Sequence, residues 1–295
     1  MTGRVDGDDR AAGALAYCLA ALRREDRDRY LTVLLAPRAA RPTLAALYAF
    51  NLECAHAVTA GAQQPLLGQI RLQWWRDGLA AGPFAGSAEN RTHPVLAALA
   101  GPAELVPRLH EILAARERDL TDPPFATLAD VVTHGAATGG LLTALAVQAV
   151  GGQSSHIEAG QAAGTAYALA GLLRAIPYQR REGGYQGRLC LPQELLAGHG
   201  IGADDVWAGN NPVAVAACVR QVAAAAEREL EKLAVLYANL GPLGPALSPL
   251  LHGSMARAYL HRLAKASYNP FAWDLGLPPL ARPLLLCWRT LLRRP

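Results

Sequence analysis

The chain has almost no material for a β-sheet. Val, Ile and Thr do not alternate with polar residues over the length of a strand, and aromatic residues make up only 6%, which excludes sheet-based folds. No run of 18 or more uninterrupted apolar residues occurs, so no segment reads as a transmembrane helix. The opening MTGRVDGDDR has neither an apolar core nor a cleavage motif and is not expected to be a secretory signal. Cys18, Cys54, Cys190, Cys218 and Cys287 form no C-x-x-C pair. An odd, scattered set implies reduced and mostly buried thiols in a cytoplasm. A broad basic patch with interleaved aromatics is missing, which argues against a nucleic-acid partner. The formal charge is +4, and Arg282, Arg289, Arg293 and Arg294 alone account for it. G-x-S-x-G, P-loop and His/Cys metal spacings are all lacking.

What the chain has is alanine and leucine. Hydrophobic residues reach 52% over 295 residues, enough for a large helical core. Helical spacing is expected over 10–24, 43–59 with Thr43 as N-cap, 65–79, 94–100, 102–120 and 127–150. It continues over 155–174, 204–207, 212–240, 245–268 and 283–293. The 127–150 helix is interrupted by Gly135, Gly139 and Gly140, where backbones can approach closely. Residues 1–9 are expected to be disordered. With no repeat period and no low-complexity linker, the reading is one all-α domain over 1–295, the alternative being two bundles divided near 183–187. In the last helix, Leu284, Leu285, Trp288, Leu291 and Leu292 form an apolar stripe, with Arg282, Arg289 and Arg293 on a different face. Such a helix either packs on the protein's own core or lies in an anionic lipid interface.

Two stretches carry most of the information. Residues 172–192, LLRAIPYQRREGGYQGRLCLP, read as a helix that ends at Arg174 and breaks at Pro177, followed by a Gly-rich basic loop. Residues 46–59, ALYAFNLECAHAVT, read as a helix with Leu47, Tyr48, Ala49 and Phe50 in its first half. The first stretch resembles the second signature of the squalene/phytoene synthase superfamily, roughly NILRDxxED followed by GRxYLP. Arg174, Gly187, Arg188, Leu191 and Pro192 match it. The second stretch resembles the first signature, ALYAFCRxxDDxxD. In both, the outer acids are missing: Ala55, Thr59, Ala175 and Gln179 stand at those positions. In the enzymes of this superfamily, the acids hold Mg²⁺ through hard oxygen ligands.

The departures form a pattern of their own. FNLECAH, PLLGQIRLQWW, His93-Pro94-Val95, ARERDL and LLRAIPY occur in order. They resemble the branch of respiratory complex I assembly factors that carry a squalene/phytoene-synthase-like domain. The resemblance implies an isoprenoid-synthase-type helical bundle around an elongated apolar cavity. It implies a non-catalytic protein that binds a partner or lipid while a respiratory complex is assembled. The partner would be a respiratory complex subunit or assembly protein, with work in the cytoplasm at the face of the inner membrane. The alternatives are a Mg²⁺-dependent head-to-head prenyltransferase, the only reading that calls for a cofactor, and a carrier of an isoprenoid lipid.

Helical phase gives sharper expectations. Positions 55 and 175 should face the cavity, whereas Glu53 points about 140° and His56 about 80° away from the mean direction of 55 and 59. Candidate ligand- or anion-binding residues are Tyr48, Glu53, His56, Arg71, Arg174, Tyr178, Arg188 and Tyr259, with Arg76, Arg180 and Arg181 at the mouth. Guanidinium groups suit diphosphate and carboxylate.

Overall fold

Alanine and leucine at helical spacing produce helix almost throughout. The computed structural model describes residues 2–61, 64–81, 93–99, 103–121, 123–179, 189–272 and 276–295, and among these no strand occurs. Helix α1 (Thr2–Glu25) begins earlier than the disorder expected for 1–9. The Ala-rich run from Ala11 supplies the nucleus, and extending a formed helix toward its N-terminus costs little. Helix α2 (Arg27–Leu35) is capped by Asp26, whose carboxylate accepts from the Arg29 amide at 3.1 Å. A 3₁₀ turn at Arg38–Ala40 leads into α3 (Arg41–Gly61). Thr43 is therefore inside the helix and is not its cap. Arg41 works instead on the end of α2, donating to the Ala36 and Leu34 carbonyls at 3.0 and 2.9 Å.

Next come α4 (Pro65–Ala80), α5 (Pro94–Ala98) and α6 (Val106–Thr121). Helix α7 (Leu128–Gly135) opens on a capping box between Thr127 and Asp130. It passes through a π-helical turn, Ala136–Gly140, into α8 (Leu141–Ala149). The long α9 (Ser154–Gln179) runs straight through Pro177, correcting the expected break. Pro177 lies in the last turn, so its missing N–H deprives only one nearby carbonyl and few later bonds depend on it. Then follow α10 (Gln193–Gly198), α11 (Ala203–Ala208), α12 (Pro212–Ala238), α13 (Leu247–Leu250), α14 (His252–Lys265) and α15 (Ala281–Leu291). The helix expected over 245–268 is thus divided at Leu251.

The buried apolar side chains gather in two clusters. One surrounds α9, with Val219, Val222, Leu250, Met255 and Leu263 packed against it. The other surrounds α3, with Leu72, Leu109, Ile112 and Leu113. Helix α8 joins them: Leu142 and Leu145 belong to the second cluster and Val147 to the first.

The π turn and α9 approach closely. A Cβ on Gly164 would collide with the Gly139 carbonyl and approach Thr143 Oγ1 to 2.5 Å. A Cβ on Gly139 would meet Ala168 Cβ at 2.7 Å. The π turn leaves a carbonyl that the α-helical ladder does not use in the ordinary way, and Gln161 Nε2 donates to Ala136 O at 2.8 Å. Glycine at 164 is thus a packing requirement. We expect Gly164→Ala to destabilise the protein by about 1–3 kcal/mol. Gly171→Ala, on the same helix with nothing within 4 Å of the new methyl, should be neutral or stabilising. Urea unfolding midpoints of the two variants check this.

Candidate functional site

The run Arg24-Glu25-Asp26-Arg27-Asp28-Arg29 would ordinarily be a solvated surface. Here it sits at the junction of α1 and α2, and part of it is drawn inside: Asp28 and Arg29 are buried. Tyr30 and Leu31 immediately after it pack on the two apolar clusters, which carries the charges inward.

Asp28 is the centre. Its Oδ2 accepts from Tyr259 Oη at 2.6 Å and from Tyr167 Oη at 3.0 Å. Arg174 Nη1 stands 3.8 Å from the same oxygen, and Arg282 Nε stands 3.2 Å from Oδ1. The Arg174 guanidinium lies over the Tyr259 ring at 3.6 Å from its centroid, a cation–π contact. Burial, reinforced by the charge on Asp28, pushes the Tyr167 and Tyr259 hydroxyls well above the usual range, so both stay protonated donors. Next to this group, Arg29 Nη1 pairs with Asp26 Oδ2 at 2.6 Å. Burial pulls the Asp26 carboxyl upward, but the charge and hydrogen bonds of Arg29 outweigh it and hold the carboxyl below its ordinary value. Deeper still, His252 stacks on Tyr167 at 5.0 Å and meets the edge of Tyr48 at 5.5 Å. Burial, helped by the charge on Arg29, pushes His252 down to about 3.

These groups form one wall of a cavity of about 510 Å³. Arg24, Arg27, Arg29, Arg116, Arg174 and Arg282 line it against three carboxylates, Glu25, Asp26 and Asp28. Asn51, His134, Thr138 and Ala175 complete much of the remaining surface. Arg116 donates to Asn51 Oδ1 at 3.3 Å and pairs with Asp119 at 3.5 Å, and His134 Nε2 stands 3.5 Å from the same aspartate. The Nε atoms of Arg29 and Arg116 are buried without a hydrogen-bond acceptor. The cavity is therefore rich in donors and net positive, suited to an anion. It differs from the elongated apolar cavity expected from the sequence. The apolar recess beyond Arg174 and Tyr259, lined by Ala170, Leu173, Leu260 and Leu263, measures only about 10 Å³, scarcely room for one water molecule.

The candidates divide accordingly. Arg174 lines the cavity, Tyr259 borders it through Asp28, and Ala175 faces it as expected. Ala55 does not line it; Asn51, one turn earlier on the same face of α3, does. Thr59 is exposed, donating to the Ala55 carbonyl at 3.0 Å, and Gln179 is half-buried at the end of α9. Glu53 points elsewhere: it accepts from Tyr17 Oη at 3.5 Å and lies 3.9 Å from His56 Nδ1. His56 pairs through Nε2 with Glu25 on the outside of the cavity. Tyr48 is fully buried as a core aromatic, whereas Tyr178 and Arg71 are exposed on the surface. Arg76 pairs with Glu117 at 2.9 Å away from the cavity. Arg180, Arg181 and Arg188 lie outside the described residues.

A divalent metal of the kind the superfamily uses does not fit this donor set. Each lining carboxylate already has a cation at hand: Glu25 the side chain of Arg24, Asp26 that of Arg29, and Asp28 those of Arg282 and Arg174. Among the described residues, no three His, Cys, Asp or Glu side chains are grouped to hold an ion.

The sequence pattern of a known family, squalene/phytoene synthase, matches residues 22–288, which span the helices around this cavity. The chain belongs to that family. Solved structures agree in fold. A dehydrosqualene synthase in complex with ligand superimposes with TM-score 0.78, covering 97% of this chain and 99% of that one at 16% identity. A squalene synthase from Alicyclobacillus acidocaldarius gives 0.72 over 88% and 97% at 21% identity. Within the family, the similar curated proteins are of one kind. The complex I assembly factor 6 homolog of Drosophila melanogaster is 27% identical over 98% of this chain and 87% of that protein. Complex I assembly factor 6 of Homo sapiens is 27% identical over 95% and 83%, and that of Mus musculus 25% over 94% and 83%.

Two expectations follow from the charges. Asp28→Asn should cost roughly 3–5 kcal/mol, because it leaves Arg174 and Arg282 facing an uncharged side chain. Combining it with Arg282→Met should recover part of that loss, a coupling of about 1–3 kcal/mol in a double-mutant cycle read by urea unfolding. His252 is neutral in the folded state but gains a proton on unfolding below its ordinary value of 6.5. The unfolded state then binds more protons, so stability falls as pH drops from 6.5 toward about 3. We expect His252→Gln to flatten that limb by up to about 1.4 kcal/mol per pH unit. Denaturation midpoints measured across the window check it.

Proposed function

We propose that this protein assists the assembly of a respiratory NADH dehydrogenase complex without itself joining prenyl diphosphates. The observation that carries the reading is the state of the carboxylates. Positions 55, 59, 175 and 179 hold Ala, Thr, Ala and Gln, so the outer acids of both family signatures are gone. The acids that do reach the cavity are paired with arginines of the same chain. Departure of diphosphate builds negative charge that a metal ordinarily stabilises, and this cavity offers the metal no unengaged carboxylate set. The names of the curated relatives support the assembly role.

In this reading the cavity is a recognition site. Its surplus of guanidinium donors holds an anionic group, such as a carboxylate or phosphate, belonging to a client subunit or assembly protein or to a small molecule that it delivers. The working place is the cytoplasmic face of the inner membrane, beside the complex.

Two measurements test the proposal. Purified protein incubated with Mg²⁺ and farnesyl or geranylgeranyl diphosphate should release no pyrophosphate and form no squalene- or carotenoid-type hydrocarbon above a boiled control. Metal-dependent turnover would overturn the non-catalytic reading. Deleting the gene should lower the abundance of the assembled NADH dehydrogenase complex and the rate of NADH oxidation. A deletion strain with a normal complex that instead loses a squalene- or carotenoid-type product would refute the assembly role.

A further inference from the structure

Helix α15 is mounted inside out. Leu280, Leu284, Trp288 and Leu291 are 73%, 68%, 60% and 77% exposed. With Cys287, also exposed, they fall within about 100° of arc on one side of the helix. The opposite side faces the protein. There Leu286 is fully buried, and Arg282 reaches Asp28 at the cavity wall. The Tyr237 hydroxyl holds the far end by donating to the Arg293 carbonyl at 3.0 Å. A helix anchored by its polar side, with a row of leucines and a tryptophan turned outward, is unusual for an isolated soluble surface, where contiguous large apolar patches mark a contact site.

The surrounding charge indicates what the contact is. Residues 252–295, which contain α14 and α15, carry seven arginines and lysines and one aspartate, a net of +6. The preceding 251 residues therefore carry a net of −2 out of the chain's +4. Neither α14 nor α15 contains an acid. Arg257, Arg289 and Arg294 stand close together: burial and the charges of the other two hold Arg289 below the usual arginine range. Arg293 and Arg294 follow the apolar row directly.

We propose that α15 docks this protein on an anionic membrane, with Leu284, Trp288 and Leu291 in the acyl–headgroup boundary and Arg293 and Arg294 among the headgroups. No described helix is long and apolar enough to cross a bilayer, so the attachment is peripheral and reversible. The inference is independent of the assembly role and of any ligand in the cavity.

The native chain carries its own probe site, because Cys287 is exposed while the other four cysteines are buried. Full-length protein labelled at Cys287 with an environment-sensitive nitrobenzoxadiazole dye is titrated with vesicles of phosphatidylcholine alone and of phosphatidylcholine mixed with phosphatidylglycerol. The expected result is a blue-shifted, brighter signal with the mixed vesicles, reversed by salt. Leu284→Ser, Trp288→Ser and Leu291→Ser together should abolish it, and because all three side chains are exposed the variant should fold. Arg293→Gln with Arg294→Gln should weaken partitioning roughly fivefold per arginine. The proposal is overturned by no shift with mixed vesicles, by a shift that survives the triple serine variant, or by partitioning that is unchanged in the double glutamine variant. Lipid-free, concentration-dependent self-association that shields Cys287 would also overturn it, by assigning the apolar row to a second copy of the chain.

Discussion

One buried carboxylate ties four helices together. Asp28 on α2 accepts hydrogen bonds from the hydroxyls of Tyr167 on α9 and Tyr259 on α14, and its charge is balanced by Arg174 on α9 and Arg282 on α15. A single ion in that position would be costly to bury. With two donors and two guanidiniums it becomes a fixed point at which the N-terminal part of the chain meets the C-terminal part. The cavity wall is a by-product of this arrangement. The arginines that steady Asp28 also present their remaining donors to the space beside it, so the ion pairs that organise the fold give the site its positive character.

The family fold is kept, while the outer acids of both signatures are absent at positions 55, 59, 175 and 179. Tyr48, Tyr167 and His252 pack together in the core, and a constricted apolar recess lies beside Arg174. Carboxylates are still present, yet they come from the α1–α2 junction instead of the two signature helices, and each answers an arginine. Under the proposed function, guanidinium groups would recognise the anion directly, without the metal that assists diphosphate departure.

Much of this was legible from residue order. The Ala/Leu spacing marks the long helices, and the glycines at 135, 139 and 140 mark a stretch where backbones can approach closely, whereas the facing Gly164 emerges only from the structure. The losses at 55, 59, 175 and 179 can be read directly against the signatures. What residue order does not show is convergence. Asp28 and Tyr259 are separated by 231 positions, and no local pattern announces that they share a hydrogen bond. The charged run at 24–29 reads as solvated surface because charge runs usually are; only the packing of Tyr30 and Leu31 on the core draws it inward. Arg282 belongs by phase to the polar face of a tail helix, and its role at the cavity depends on which side that helix presents to the bundle. Pro177 misleads for a related reason: a proline disrupts a helix in proportion to how many bonds lie beyond it, and here few do.

The π turn at Ala136–Gly140 has a bearing on how the family could vary. One additional residue is accommodated there within a continuous helix, so everything downstream is set about 100° around the axis from where an uninterrupted α-helix would put it. Leu142, Leu145 and Val147 reach the two apolar clusters only in that setting. A single-residue deletion in this stretch would heal the backbone ladder and at the same time swing those side chains out of register. Insertions and deletions along the otherwise permissive Ala-rich helices should therefore avoid these five positions, giving the chain a fixed length between His134 and Leu141.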